Sequence, residues 1–267
     1  MNDKYSGNYN AGSVKLTRRF SHGVSLITNY TWSKSIDNSS GTRTQGLDIL
    51  FPQDSTCLQC ERSLSSFDVR HRWVIGAVYD LPVGRGKMLG INNSILNGFV
   101  GGWQLSVNST IQSGVPQTLS SGANRAGTNN PVNDRPSYSG VGNGHLSNHS
   151  WKITSTDPVT HQQSWGRTWY DPASFVLQPQ GQFGTVGRNS EITPAFQTFD
   201  LAVHKNFAMG YKEGHTLQFR LEAFNVLNHP VWGAPNGNIQ AGGGAFGTIS
   251  STAIDMRQLQ LGLKYTF

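Results

Sequence analysis

Apolar and polar residues alternate with a period of two along much of this chain, the pattern of a β-strand with one greasy and one wet face. The last segment shows it best. Leu259, Leu261, Leu263, Tyr265 and Phe267 alternate with Gln258, Gln260, Gly262, Lys264 and Thr266. A strand sends these two sets to opposite faces. Val24, Leu26, Thr28, Tyr30 and Trp32 alternate in the same way with Ser25, Ile27, Asn29, Thr31 and Ser33. Further such rows are Trp73 to Leu81, Trp103 to Ile111, Phe199 to Phe207 and Leu217 to Ala223, with a shorter one through Val14, Leu16 and Phe20. The alternation predicts seven strands, near 9–20, 23–36, 67–81, 98–113, 195–207, 215–227 and 257–267.

The connections alternate in length. Short ones cover 21–23 and 208–214, and a medium one covers 82–97. Long ones, rich in Gly, Asn, Ser and Pro, cover 37–66, 115–194 and 228–256. Compact soluble domains rarely carry an unstructured connection as long as 115–194, whereas outer-membrane barrels join short periplasmic turns to long outside loops. With the chain's end on the periplasmic side, every long loop falls outside. Phe20, Tyr79, Trp103, Phe207, Tyr265 and Phe267 then lie near the periplasmic ends of the apolar rows, and Tyr30, Trp32, Trp73 and Phe199 toward the outer ends. Two aromatic girdles around an aliphatic band suit a wall that faces lipid. The fold expected is all-β: an antiparallel transmembrane β-barrel fragment of about 7–8 meandering strands, open or partial. A soluble antiparallel sandwich also has apolar inner faces, but its strands are usually about half this length.

Composition sharpens this picture. Charged residues are 13% of the 267, with 31 glycines and 7 tryptophans. That charge content is about half the usual ~25% of soluble domains and argues against a soluble helical protein and against charge-rich disorder. No run of 18 apolar residues exists, which removes a transmembrane helix. The first residues, Met1 to Tyr5, hold no apolar core of a signal peptide, so an exported chain is expected to lack its front end here. The net charge of +6 comes without a block of like charges, so no nucleic-acid partner is indicated.

Candidate chemistry is sparse. Cys57 and Cys60 are too few for a disulfide framework or a four-ligand zinc site, and read as a local disulfide in the 37–66 loop or, less simply, as a redox dithiol. His145, His149 and His161, with Asp157 and Asp171 near in sequence, could contact a metal; solvated loop histidines are the plainer reading. Gly84-Arg85-Gly86-Lys87 lacks the spacing of a phosphate-binding loop. Arg70, Arg72, Arg220, Glu222 and Lys264 fall on polar faces and are expected to point into the lumen, there to meet a substrate or an internal domain or to pair with one another. Lys205 falls on the lipid face near a strand end, where it can snorkel. No nucleophile elbow, paired carboxylates or metalloprotease motif occurs, so neither an enzyme nor a cofactor is expected.

The alternating row Leu259, Leu261, Leu263, Tyr265 and Phe267 resembles the signal read by the outer-membrane barrel assembly machinery, which acts by strand-edge pairing. Other stretches resemble the C-terminal barrel region of TonB-dependent outer-membrane receptors, in particular the Oar-like group with carboxypeptidase-regulatory-like front domains. These are Tyr30-Thr31-Trp32-Ser33-Lys34-Ser35-Ile36-Asp37, Phe67-Asp68-Val69-Arg70-His71-Arg72-Trp73, Gly102-Trp103-Gln104-Leu105, Ser113-Gly114-Val115-Pro116, and Phe183-Gly184 with Gly187-Arg188-Asn189. The most specific is Phe219-Arg220-Leu221-Glu222-Ala223-Phe224-Asn225-Val226-Leu227-Asn228-His229-Pro230. The resemblance implies residence in the cell outer membrane of a Gram-negative-type bacterium, against lipid and lipopolysaccharide. It also implies a parent barrel of about 22 strands closed by a plug, taking up a scarce ligand with energy from TonB–ExbB–ExbD through that plug. Here only about seven strands occur, without a plug or TonB-contacting segment, so the chain is expected to be a C-terminal fragment that does not transport alone. A small self-standing barrel acting as adhesin or structural protein, and a carbohydrate-binding sandwich, are the competing classes.

Overall fold

The computed structural model describes residues 5–40, 51–128, 133–208 and 215–267. Among them, seven long strands form one antiparallel meander. They are β1 (Gly7–Ser21), β2 (Val24–Asp37), β3 (His71–Asp80), β4 (Trp103–Gln112), β5 (Phe196–Ala208), β6 (Thr216–Phe224) and β7 (Gln258–Thr266). Each strand pairs with its neighbour in the chain, and a two-residue strand, Ser63–Leu64, flanks the end of β2. The β1–β2 turn consists of His22 (φ 52°) and Gly23 (φ 79°). Positive φ at both central positions is what a two-residue hairpin needs to match strand twist.

The register carries one mostly apolar face across all seven strands, with Arg18, Thr28, Ser109 and Gln197 among its exceptions. Val14 lies opposite Tyr30, Tyr30 opposite Trp73, and Trp73 opposite Ile111. Val107 lies opposite Leu201, Leu201 opposite Ala223, and Ala223 opposite Leu259. The other face is mostly polar or small: Lys15, Asn29, Val74, Thr110 and Thr198 form one row, and Ser106, Ala202, Glu222 and Gln260 another. No described element covers the apolar face as a sandwich would require. On β7, Leu259, Leu261 and Leu263 are about 70% exposed. Among the described residues the sheet does not close either, since β1 pairs there only with β2 and β7 only with β6.

Two sequence expectations need correction. The strand expected at 98–113 begins at Trp103, because Ser94–Val100 forms a helix, α1. The Asn93 side-chain oxygen accepts hydrogen bonds from the Ile95 and Leu96 amides and starts it, the usual role of an N-cap asparagine. Seven residues give too few turns for a helical period to stand out from the flanking strands. Similarly, the strand expected at 67–81 begins at His71.

The larger correction concerns the long connections, which are not unstructured. Pro116–Gln117 pairs with Glu191–Ile192, and Ser137–Tyr138 with Phe175–Val176. Trp151–Thr156, Gln163–Thr168 and Thr248–Ile249 form a three-stranded sheet, joining the 115–194 and 228–256 connections. Leu119, Tyr170, Phe175, Val186 and Phe246 make a small core, with Trp169 and Ile239 against it. The first long connection joins this cap through Gln53, whose side-chain amide donates to the Gly184 carbonyl at 3.1 Å.

Polar contacts hold most of the cap. Among the described residues, buried polar and charged side chains outnumber buried apolar ones. Arg135 makes a bidentate pair with Glu61, at 2.5 and 3.1 Å, both side chains nearly fully buried. Arg188 meets the Asp37 carboxylate at 2.5 Å and donates to the carbonyls of Asp37 and Glu61. Removing one partner of a buried pair strands the other charge, at a cost of about 3–5 kcal/mol. Arg188→Ala is therefore expected to release residues 115–194 from the first hairpin. Limited proteolysis should then cut the cap at protease levels that leave the parent chain whole, with the seven-strand sheet retained by circular dichroism.

Candidate functional site

The strongest constellation lies where the cap meets the strand ends. Strand β2 ends in Ser33, Ser35 and Asp37, all buried. The Ser33 hydroxyl donates to the Val69 carbonyl at 2.7 Å, and the Ser35 amide donates to the Asp68 carboxylate at 2.6 Å. Across the rim, Arg188 grips Asp37. Asn189, held at φ 50°, donates through its side-chain amide to the Leu64 carbonyl at 2.8 Å and through its backbone amide to Thr118 Oγ1. A second clamp tops β6, where Asn225 and Asn228 adopt φ 48° and 51°. Asn tolerates that left-handed backbone better than most residues. The Asn225 amide donates to Asp200 Oδ1, and its side chain both accepts from the His229 amide and donates to the His229 carbonyl. Chemically this rim ties the cap to the strand ends.

The predicted site residues are scattered. Cys57 and Cys60 are bonded to each other, their Cα atoms 5.4 Å apart. The carboxylate of nearby Asp54 is held below its usual range, first by the Thr56 hydroxyl and then by the Thr56 amide. His145 faces the buried Glu191 carboxylate at 3.3 Å, His149 stacks on Trp169 with ring centres 4.4 Å apart, and His161 sits in a turn at φ 56°. Asp157 and Asp171 accept hydrogen bonds from amides of their own turns. No group of three metal-ligating side chains forms among the described residues. Gly84-Arg85-Gly86-Lys87 is a turn in which Gly84 and Gly86 take φ 131° and 72°.

Arg72, Arg220, Glu222 and Lys264 lie on the mostly polar face, opposite Gln112, His204, Gln260 and Gln218 respectively. Arg70 departs from that row. It precedes β3 and pairs with Asp68 at 3.4 Å, as part of the rim. Lys205 also departs from expectation. It lies on the apolar face but is only 2% exposed, its ammonium donating to the Gly101 carbonyl and lying 5.0 Å from the ring centres of Trp103 and Phe207. Aromatic cover and a carbonyl replace the snorkel into headgroups, because α1 places its C-terminal end within the lysine's reach. Sequence reasoning singled out none of Glu61, Asp68, Arg135, Arg188, Asn189 and Asn225 as a site. Asp68, Arg188, Asn189 and Asn225 nonetheless lie inside the stretches that carry the family resemblance.

One further surface stands out on the cap. The ribbon Trp151–Thr156 with Gln163–Thr168 sets Trp151 opposite Arg167 and Ile153 opposite Trp165, so all four share a face. Trp232 packs edge-on against Trp151 at 5.5 Å, and the Arg167 guanidinium lies 4.8 Å above the Trp232 ring. Trp151 and Trp165 are each about half exposed.

A family model described as outer membrane beta barrel domain matches residues 1–260. The chain belongs to the outer membrane β-barrel domain family. A search of curated proteins found no match. Membership explains why so large an apolar face is left open: in such a barrel it faces hydrocarbon, and the polar face lines the interior.

Two outcomes follow. In the membrane-inserted barrel to which this sheet belongs, Leu261→Lys should be destabilising by about 2–4 kcal/mol, the cost of a lysine facing lipid near the midplane. Gln260→Lys, one residue away on the other face, should cost little; denaturant titration of the inserted protein measures both. The second concerns Tyr170, whose hydroxyl donates to Gln117 Oε1 at 3.0 Å. Burial, and then the Glu191 charge, push this phenol well above the usual tyrosine range. Its contribution to stability is therefore full below about pH 10, the unfolded value, and is lost as pH rises beyond it. In an alkaline titration followed by phenolate absorbance, Tyr170 should ionise only together with loss of cap structure, while Tyr170→Phe should remove that last step.

Proposed function

We propose that this chain forms part of the barrel wall of a TonB-dependent receptor that takes up a scarce ligand across the outer membrane of a Gram-negative-type bacterium, and that alone it is not transport-competent. One observation carries the reading: among the described residues, seven strands share a mostly apolar, lipid-type face yet leave both sheet edges unpaired. An unpaired ladder edge in hydrocarbon costs several kcal/mol for each polar group, so β1 and β7 call for further strands of a larger barrel. The stretches Phe67 to Trp73, Gly187 to Asn189 and Phe219 to Pro230, which resemble the receptor family, support it because they supply the clamps at the rim. In this reading the cap is extracellular and the aromatic face around Trp151, Trp165 and Arg167 makes first contact with ligand. The parent's plug contacts TonB–ExbB–ExbD, the row from Leu259 to Phe267 is read by the barrel assembly machinery, and the chain catalyses no reaction.

An epitope inserted in the chromosomal copy at the exposed turn around Val159 tests this. In intact cells the tag should be accessible from outside, on an outer-membrane, heat-modifiable product larger than the 29.2 kDa of this chain, and TonB should be recovered with it after cross-linking. A protease-resistant, heat-modifiable monomer of the size of this chain, without TonB, would overturn the proposal in favour of a small self-standing barrel.

A further inference from the structure

Helix α1 occupies the turn between β3 and β4, at the end of the wall opposite the cap. Its wheel is divided. Ile95, Leu96, Phe99 and Val100 fall within one arc of about 140° at 100° per residue, and they are 76, 52, 73 and 42% exposed. Asn97 lies on the other side, where its side-chain oxygen accepts from the Arg85 amide at 2.7 Å and ties the helix to its own turn. Among the described residues the polar side of α1 is therefore in use and the apolar arc is left uncovered.

Which side of the wall the helix occupies follows from two hydrogen bonds. Trp103 and Lys205 both belong to the apolar face, lying opposite each other in the register. The Trp103 indole N–H donates to the Phe99 carbonyl at 2.9 Å, and the Lys205 ammonium donates to the Gly101 carbonyl. Two side chains of the lipid-facing surface thus hold the last turn of α1, so its apolar arc continues that surface. The charges fit a phospholipid headgroup layer: from 81 to 102 the only charged residues are Arg85 and Lys87. Arg85 donates to the Ser94 hydroxyl, and Lys87 lies 3.6 Å from Asp80. Met88 and Leu89 of the same connection are exposed as well.

We propose that α1 is an in-plane membrane anchor. Its arc of Ile95, Leu96, Phe99 and Val100 is seated at the acyl–headgroup boundary of the phospholipid leaflet on the short-turn side, where interfacial helices bury their apolar face ~5–10 Å deep. Lys205 and Trp103 act as the tether fixing the depth of that helix against the wall. The inference rests on the membrane-facing wall and not on the transport reading.

Depth-dependent quenching on the full chain tests it. The described cysteines are both in the disulfide, so a single introduced thiol gives one labelling position. Phe99→Cys and, separately, Ile95→Cys, each in the barrel as the cell produces it, would carry an environment-sensitive fluorophore after reconstitution into phosphatidylethanolamine–phosphatidylglycerol vesicles. Leu261→Cys serves as the wall reference and Val159→Cys as the aqueous one. Labels at 99 and 95 should be blue-shifted and quenched several-fold more by acyl-brominated phospholipid than the label at 159, and resist aqueous iodide. If 99 and 95 behave like 159 while 261 is quenched by brominated lipid, the anchor is overturned and the wall stands. If 261 also escapes lipid quenching, the wall itself is outside lipid and the anchor falls with it.

Discussion

A backbone amide or carbonyl that enters hydrocarbon without a partner costs several kcal/mol, and a spanning segment carries one of each at nearly every residue. The rest of this molecule is arranged around that constraint. The meander satisfies it for five of its strands, each paired on both sides, and leaves it open along β1 and β7. The side chains follow from the same ladder. Because register is unbroken from β2 to β7, with a single shift near the β1–β2 turn, apolar residues meet across successive strands, as in the row Leu26, Ala77, Val107, Leu201, Ala223 and Leu259. A slip of one residue in any pair would turn a whole row of leucines into the polar interior.

The two ends of the wall solve different problems. At the cap end, connections too long to lie idle are gathered by ion pairs and amide contacts, Arg135 with Glu61 and Arg188 with Asp37 being the most buried. Such pairs stabilise little by comparison with apolar packing, but they are specific: only the right partner satisfies a buried charge. They join segments as far apart in the chain as Asp37 and Arg188. At the short-turn end the molecule does the reverse. It keeps a seven-residue helix against its outer face with two hydrogen bonds from lipid-facing side chains and leaves the apolar arc uncovered. One end is a rigid polar structure suited to water; the other is matched to a membrane surface.

Alternation alone determined the wall: its seven strands, which residues share a face, and hence a barrel-type fold. A period of two is a local property, so a strand's own residues carry it, and a lipid-facing surface allows few exceptions. Lys205 is the instructive exception, legible as a lysine on the wrong face but not as one covered by Trp103, Phe207 and a helix end. The cap was decided by tertiary structure. Its core draws Leu119, Tyr170, Phe175 and Val186 from one connection and Phe246 from another, and much of its interior is polar, which in sequence looks like solvated loop. Helix α1 was hidden for a related reason, being too short for a 3.6-residue period to declare itself. Where cohesion comes from a repeating row of apolar side chains, the pattern is written along the chain; where it comes from charges and amides meeting across distant segments, only the folded backbone brings the partners together.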